Sequence, residues 1–353
     1  MIHQLEATVG GVPLSVISGS MTLDETWTPY IQAELTIVEP ADVSIVDPRN
    51  EARVVLTWTA TPLGSVVPAQ SMTADLGVRR RRINDDGEIV MSLASDEALA
   101  QDYALGSAQE LGTFPTAYEF VDAFLGLIGA EVAPGYDNVL LDEPFQFMKA
   151  GDILWSTLNP VVQQTGLRLY CDEARLWRLK LAPENNNEIL FNTIGSDVTI
   201  SQEDDISRED DLWGDSVVVL YRWTDLSGTS YSNFDSATDS FPPTKTLVVE
   251  HATAYPGPGA ARQLLNRAQG RGQNLRATVV SDYSVRPGHQ FATVDQHGTI
   301  YTGHVRSVSW NLDDDTMTIQ PRDLVETPST AWVLLAPGEA WNDSDAGIPW
   351  TTA

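Results

Sequence analysis

The histidines are the side chains best suited to metal or proton chemistry, and the chain has five of them. His289, His297 and His304 stand eight and seven residues apart, on segments that we expect to form neighbouring strands. Together with Asp282 they imitate a metal-ligand set. Zinc ligands usually show short fixed spacings, however, and none occurs here. We therefore interpret these histidines as ordinary strand and turn residues and predict no metal site.

Carboxylates are plentiful, with 49 Asp and Glu residues, so pairs that could serve a glycosidase arise by chance. The acidic run at 203–205 and 209–211 predicts a solvated loop, because it lacks the bend glycine of a calcium loop. The triplet at 313–315 is typical of a hairpin turn. The sequence has no nucleophile elbow, zinc-protease helix, phosphate-binding loop or dinucleotide fingerprint. We therefore predict neither catalysis nor a cofactor.

Four consecutive arginines, Arg79, Arg80, Arg81 and Arg82, form the one basic run of this acidic chain. On a strand, successive side chains alternate between faces, so two would point each way. One interpretation is that their charge protects a strand edge against unwanted pairing. The second is a docking stripe, a candidate subunit interface, for an acidic patch on a neighbouring copy or partner. Contact with nucleic acid is a third.

The net charge of −28 opposes tight nucleic-acid binding, because that affinity depends on Lys and Arg replacing condensed counterions. The acidity serves solubility, or else it provides a surface along which DNA slides without sticking. Cys171 is the single cysteine, so no intrachain disulfide can form. No stretch approaches 18 apolar residues and no signal peptide is recognisable, so we predict no membrane span and synthesis in the cytoplasm.

The pattern of apolar residues predicts a mostly β chain with an α+β stretch in its middle. Alternating β-branched and aromatic residues indicate strands early and late in the chain. Helical spacing begins after residue 114, with Phe120 and Phe124 on one side. A second helix is predicted to start at Asp152 as N-cap, with Pro160 kinking or ending it.

The predicted elements fall in a definite order along the chain. Early strands are expected at 14–17, 31–37 and 53–58, followed by a hairpin of 78–83 and 88–93 around the turn 84–87. A second hairpin is expected from 167–171 and 176–179. Late strands are expected at 216–223, 245–250, 275–281, 290–294, 299–310 and 316–320, with a loop at 234–243 and a helix at 259–268.

Two long segments resemble tail hub proteins, the minor tail proteins of long-tailed actinobacteriophages. The first combines residues 81–83, 87–90, 93–99 and 102–105, and the second combines 303–310 with 315–319. Three further features follow in the expected order: the Trp155 helix leading into 170–173, the Leu264–Leu265 helix ending at 270–272, and the turn 286–288. The resemblance covers most of residues 1–325 and leaves the tail beyond it uncovered.

The resemblance implies an architecture similar to the baseplate hubs of contractile tails. Three chains would form a homotrimer ring in which two tube-type β-barrel domains per chain imitate sixfold symmetry. The implied divisions are 1–108 and 213–325 as tube-type domains, 109–212 as a smaller peripheral α+β domain, and 326–353 as a C-terminal extension. Implied partners are the tail tube protein, the distal tail protein and other tail-tip or fibre proteins, with transient passage of DNA.

The predicted function is therefore a structural hub at the virion's tail tip, which joins the tail tube to the adhesion apparatus. Acidic or neutral groups suit a ring through which DNA passes, because phosphates then meet no cations. One alternative is a receptor-binding or outer baseplate protein in which Trp332 and Trp341 stack on sugars. Another is a tail-associated hydrolase that uses the abundant carboxylates.

Overall fold

A computed structural model confirms that the chain is mostly β. It describes residues 2–61, 70–107, 109–141, 145–148, 150–192, 199–206, 213–224, 229–251, 255, 258–269, 273–294, 297–311 and 316–327. Within these ranges the chain forms twenty strands and four α-helices. The predicted features at 209–211, 270–272 and 313–315, and the tail with Trp332 and Trp341, lie outside the described residues.

The chain divides into two compact units, each assembled from separated stretches. The first unit takes residues up to Leu190, together with Val279–His289 and Arg306–Ile319. The second takes Phe191–Thr278, Gln290–Val305 and residues from Gln320 onward. The predicted boundaries near residues 108, 212 and 325 stay predictions.

Antiparallel strands form the main sheet of the first unit, in the order β19, β3, β4, β7, β6, β5, β1, β2. Only residues 307–311 of β19 pair with β3. The bounds are Ile2–Val9 (β1), Val12–Leu14 (β2), Val16–Asp24 (β3), Ile31–Val38 (β4), Arg53–Thr61 (β5), Gln70–Ile83 (β6), Glu88–Ala94 (β7) and Ile300–Asn311 (β19).

Alternation of buried and outward residues along the central strands builds an apolar core. In β4 and β5 every second residue is buried, and Leu35, Leu56 and Trp58 are almost fully enclosed. Because successive strand residues point to opposite faces, the other half of each strand faces outward. The predicted β6–β7 hairpin is confirmed, and Gly87 at its turn has a φ of 81°, which glycine adopts without a steric penalty.

Helices in the first unit pack around a second cluster of buried apolar residues. Thr116 caps the first predicted helix, because its hydroxyl accepts a hydrogen bond from the Glu119 amide at 3.3 Å. Phe120 and Phe124 lie fully buried on that helix, with ring centroids 4.3 Å apart. The bounds are Glu97–Asp102 (α1), Gln109–Thr113 (β8), Ala117–Leu125 (α2), Phe145–Met148 (β9), Leu154–Gln164 (α3), Leu167–Cys171 (β10) and Trp177–Leu181 (β11).

The second predicted helix differs from expectation at its start and at Pro160. Ile153, not Asp152, occupies the N-cap position of α3, and no side chain caps that end. Pro160 lies inside the helix, which continues to Gln164 because Leu154, Leu158 and Val162 bury one face in the core. Tertiary packing therefore outweighs the hydrogen bond that proline removes. The predicted β10–β11 hairpin is confirmed.

A three-stranded sheet in the order β15, β14, β16 packs one face on helix α4 in the second unit. The prediction of a loop over 234–243 was wrong in part, because residues up to Thr238 belong to β15. That strand is polar, yet it pairs along its whole length with β14. The bounds are Ser216–Thr224 (β14), Ser230–Thr238 (β15), Thr246–His251 (β16) and Ala260–Gln269 (α4).

One of the remaining strands, β13, contains residues 203–205, for which a loop was predicted. Residues 203–205 lie within β13, so the prediction of a loop there was wrong, because backbone pairing with β17 holds the segment extended. Glu203 itself is exposed to solvent. The bounds are Asn186–Asn192 (β12), Thr199–Ile206 (β13), Gln273–Val280 (β17), His289–Val294 (β18) and Thr316–Glu326 (β20).

Candidate assembly site

The four arginines lie at the end of β6, where a β-bulge interrupts pairing with β7. Val78 pairs with Leu93 and Arg80 with Ser92, so Arg79 is the extra residue. A bulge adds one residue to the strand and so changes the sheet face to which the following side chains point. Arg80 and Arg82 consequently lie outward. Arg81 pairs with the buried Met91 and so lies on the core side.

Two of the arginines are engaged within the chain. Arg79 makes a bidentate ion pair with Asp102, with N–O distances of 2.6 and 2.8 Å. Arg81 donates to the Val43 carbonyl at 2.5 Å and lies 3.7 Å from a carboxylate oxygen of Asp47. Hydrogen bonds from Arg49 also lower the pKa of Asp47, which keeps it charged. These pairs fasten the end of β6 to the neighbouring loop and to α1.

Arg80 and Arg82 remain exposed, and neither has a hydrogen bond or ion pair within the described part of the chain. They stand on what we term the polar sheet face, the outward side of β3, β4, β7 and the end of β6. Strand pairing places Arg80 beside Ser92, and Ser92 beside Glu34. The polar sheet face comprises Ser18, Ser20, Thr22, Gln32, Glu34, Thr36, Arg80, Arg82, Val90 and Ser92.

A second charged arrangement holds the β10–β11 hairpin against the strands of the first unit. Asp96 is its centre, with a side chain only 7% exposed. Its carboxylate oxygens form ion pairs with guanidinium nitrogens of Arg53 at 2.7 Å and of Arg175 at 2.9 Å. Arg53 also donates to Asp75 at 2.8 Å. We term these residues, together with Glu97, the ionic junction.

Glu97 is the buried carboxylate of the ionic junction, with 1% of its surface exposed. One oxygen, Oε1, accepts the backbone amides of Tyr30 at 3.1 Å and Cys171 at 3.0 Å. The other oxygen, Oε2, is buried with no hydrogen-bond partner among the described residues. Burial raises the pKa of Glu97, because a charged carboxylate loses its hydration there. Glu97 thus ties the start of β4 to the end of β10.

Aromatic contacts extend the ionic junction. The rings of Tyr30 and Tyr170 lie 4.7 Å apart, and the guanidinium of Arg168 stands 4.7 and 4.5 Å from their centroids. Such cation–π contacts contribute about 0.5–2 kcal/mol each. At the hairpin turn, Arg286 donates to Glu173 at 2.7 Å. The hairpin is therefore held by charge and stacking at several points.

The side chains that could act as a nucleophile, a base or a metal ligand are either buried or far apart among the described residues. Burial strongly raises the pKa of the Cys171 thiol, so it stays protonated and is a poor nucleophile. Desolvation, assisted by Arg322, lowers the pKa of His304. Across the described ranges, no group of three or more His, Cys, Asp or Glu side chains converges as a metal site requires.

No described helix is long and apolar enough to span a membrane.

Sequence reasoning found the arginine run but missed the ionic junction. In the sequence, residues 95–97 carry no signal beyond their place in the family resemblance over 93–99. Nothing in their spacing shows that Glu97 is buried, because its partner Cys171 lies 74 positions away. An acidic pair at the start of a short helix is also common where nothing is buried, since carboxylates favour helix N-termini.

The fold described above is that of phage tail proteins. A prophage MuSo2 tail protein from Shewanella oneidensis matches with a TM-score of 0.61 and 14% identity, over 91% of this chain and 98% of the other. A tail protein from Neisseria meningitidis matches with a TM-score of 0.63 and 11% identity, over 91% of this chain and 97% of the other. A prophage tail protein from Listeria monocytogenes matches with a TM-score of 0.53 and 11% identity, over 86% of this chain and 87% of the other.

No protein-family model and no curated protein sequence matches the chain. At identities of 11–14%, the structural matches establish a shared fold. They extend over 91% of this chain and over 98% and 97% of the Shewanella and Neisseria chains. The predicted resemblance to tail proteins is confirmed at this level.

Proposed function

We propose that the chain is a structural, non-enzymatic protein of a phage tail tip. In this proposal it forms a homotrimer ring, the tail hub, that joins the tail tube to the distal adhesion apparatus. The observation that carries the proposal is the match to two tail proteins over more than nine-tenths of both chains. Its neighbours would be the tail tube protein, the distal tail protein and fibre proteins.

Within the ring, residues 1–108 and 213–325 would be the tube-type domains, and 109–212 would stand at the periphery. Support comes from the order of elements, because the helices α2 and α3 lie between two stretches rich in strands. The extension 326–353 is left for contacts outside the tube. Two β-rich stretches in each of three chains would supply six similar elements around one axis.

The proposed passage of DNA through the ring is supported by the charge of the chain. With a net charge of −28, each copy repels phosphates instead of binding them. We propose that the acidity serves transit of the genome, which needs a channel wall with no firm hold on the phosphate backbone.

We further propose that Arg80 and Arg82 contact an acidic surface of the neighbouring copy. Both guanidiniums are exposed and free of partners among the described residues, whereas Arg79 and Arg81 are occupied. Complementary charge steers association and fixes its register. An acidic chain supplies such a surface on every copy, so a single stripe can serve all interfaces of a ring.

Mass photometry of the purified 38.6 kDa chain, with cross-linking mass spectrometry on particles, tests the proposal. The expected result is a trimer in solution, and cross-links to tube and distal tail proteins in particles. Arg80→Glu with Arg82→Glu should weaken the trimer, whereas Arg49→Ala, which alters an exposed arginine already paired with Asp47, should not. A chain that is monomeric both in solution and in particles contradicts the proposal.

A further inference from the structure

An exposed aromatic side chain stands on the loop between β15 and β16 in the second unit. Phe241 is 94% exposed, more than any other large apolar residue among those described. Pro242 and Pro243 follow it, and their rings restrict the backbone. Scattered exposed apolar residues are ordinary, so exposure alone assigns nothing to Phe241.

The base of this loop is held in place by Asp215. Its carboxylate accepts the backbone amides of Thr244 at 2.9 Å and Lys245 at 2.8 Å, and the hydroxyl of Ser240 at 2.7 Å. These hydrogen bonds strongly lower the pKa of Asp215. The loop is thus ordered before any partner arrives. Preorganisation matters because ordering a loop on binding subtracts from affinity.

The same unit carries an exposed apolar sheet face on the side of β14 away from helix α4. Strand pairing aligns Val218 with Val248, and Leu220 with Phe234. Phe234 is 60% exposed and Val248 is 59% exposed. We term these four residues the receiving face. The opposite side of the sheet carries Val217 and Val219, which are fully buried against α4.

Charge favours a second copy of the chain as the partner of both features. Copies with a net charge of −28 repel one another, and this repulsion opposes close contact least where the surface carries no net charge. The loop tip 240–244 contains no charged residue. Beside the receiving face, Arg222 and Glu250 neutralise each other at 3.5 Å. Both surfaces therefore carry little charge for an acidic chain, with the Asp215 carboxylate held at the base of the loop.

We infer that Phe241 of one copy packs against the receiving face of the next copy, Val218, Leu220, Phe234 and Val248. The two surfaces are unlike, so the contact is heterologous and repeats around a ring. This inference rests on the proposed ring and deepens it by naming one of its contacts. A buried aromatic in a preorganised setting is the usual anchor of such an interface.

The test measures self-association of the purified full chain by analytical ultracentrifugation. Phe241→Ser and Val248→Asp should each weaken association by about 10- to 100-fold, the loss expected when one large apolar side chain is no longer buried. Leu181→Ser is the matched control, because Leu181 is 56% exposed but lies in the first unit. Circular dichroism checks that each variant is folded, and Phe234→Ser replaces Val248→Asp if the latter is not.

Mixing the two variants separates this contact from other modes of association. Phe241→Ser keeps an intact receiving face, and Val248→Asp keeps an intact Phe241, so an equimolar mixture should form dimers that extend no further. A monomeric wild type, a Phe241→Ser variant that associates like wild type, or a mixture that associates no better than either variant would overturn the inference. Cross-linking in particles is measured separately, so the tail location can stand while this contact fails.

Discussion

Replacing Glu97 with glutamine isolates the effect of its buried charge on the ionic junction. Glutamine keeps the shape of glutamate and an oxygen that can accept the amides of Tyr30 and Cys171. It has no proton to lose, so it removes the titration. Glu97→Ala is the companion variant, because alanine leaves both buried amides without an acceptor.

The sign of the effect follows from the raised pKa of Glu97. The folded chain holds the proton at pH values where the unfolded chain has lost it. The stability contributed by this group is therefore complete below the ordinary glutamate pKa of about 4.3, and is lost as the pH rises through the folded pKa. Across that window wild type should lose up to about 1.4 kcal/mol per pH unit relative to Glu97→Gln. Glu97→Ala should cost about 2–6 kcal/mol, from two unsatisfied amides.

Urea unfolding from about pH 5 to about pH 8, followed by tryptophan fluorescence, measures these differences. The chain has ten tryptophans, and Trp58 is buried in the core of the first unit. All other titrating groups are common to both proteins, so the difference in the free energy of unfolding reports Glu97. Parallel pH profiles for wild type and Glu97→Gln would refute the reasoning. So would a loss of stability in Glu97→Gln as large as that in Glu97→Ala.

Two further substitutions have matched controls elsewhere in the chain. Asp96→Ala should cost about 1.5–3 kcal/mol in urea unfolding, because it removes the charged hydrogen bond from Arg53 to a buried carboxylate while Asp75 still pairs with Arg53. Asp102→Ala should cost less than about 1 kcal/mol, since its pair is largely exposed. Gly303→Ala should lower stability by about 1–3 kcal/mol, because a Cβ there would lie 2.6 Å from the Arg322 carbonyl oxygen, while Gly106→Ala meets nothing within 4 Å and should be near neutral by thermal melting.

Local sequence patterns predicted those strands and helices whose own residues alternate or repeat. The β6–β7 hairpin followed from its turn at 84–87, and α2 from the spacing of Phe120 and Phe124. Strand β15 was missed, because Ser230–Thr238 is polar and is held extended by pairing with its neighbour. Its conformation depends on the adjacent strand more than on its own residues.

The candidate site was less predictable, since its parts depend on contacts between distant residues. The arginine run could be seen in the sequence, yet the bulge that separates Arg79 from Arg80 depends on the register with β7. The burial of Glu97 depends on Cys171, and that of Asp96 on Arg175, 79 residues along the chain. Whether each of the four arginines is paired or exposed therefore depends on the tertiary structure.

The pairing of β3 with the end of β19 has a consequence for biosynthesis. Thr22 and Ser309, which share a hydrogen bond at 2.8 Å across these strands, are 287 positions apart. At roughly 5–20 residues per second, a ribosome needs on the order of tens of seconds to supply the second strand after the first. During that interval β3 presents an unpaired edge to the crowded cell. Completion of the first unit is thus set by the arrival of the last third of the polypeptide.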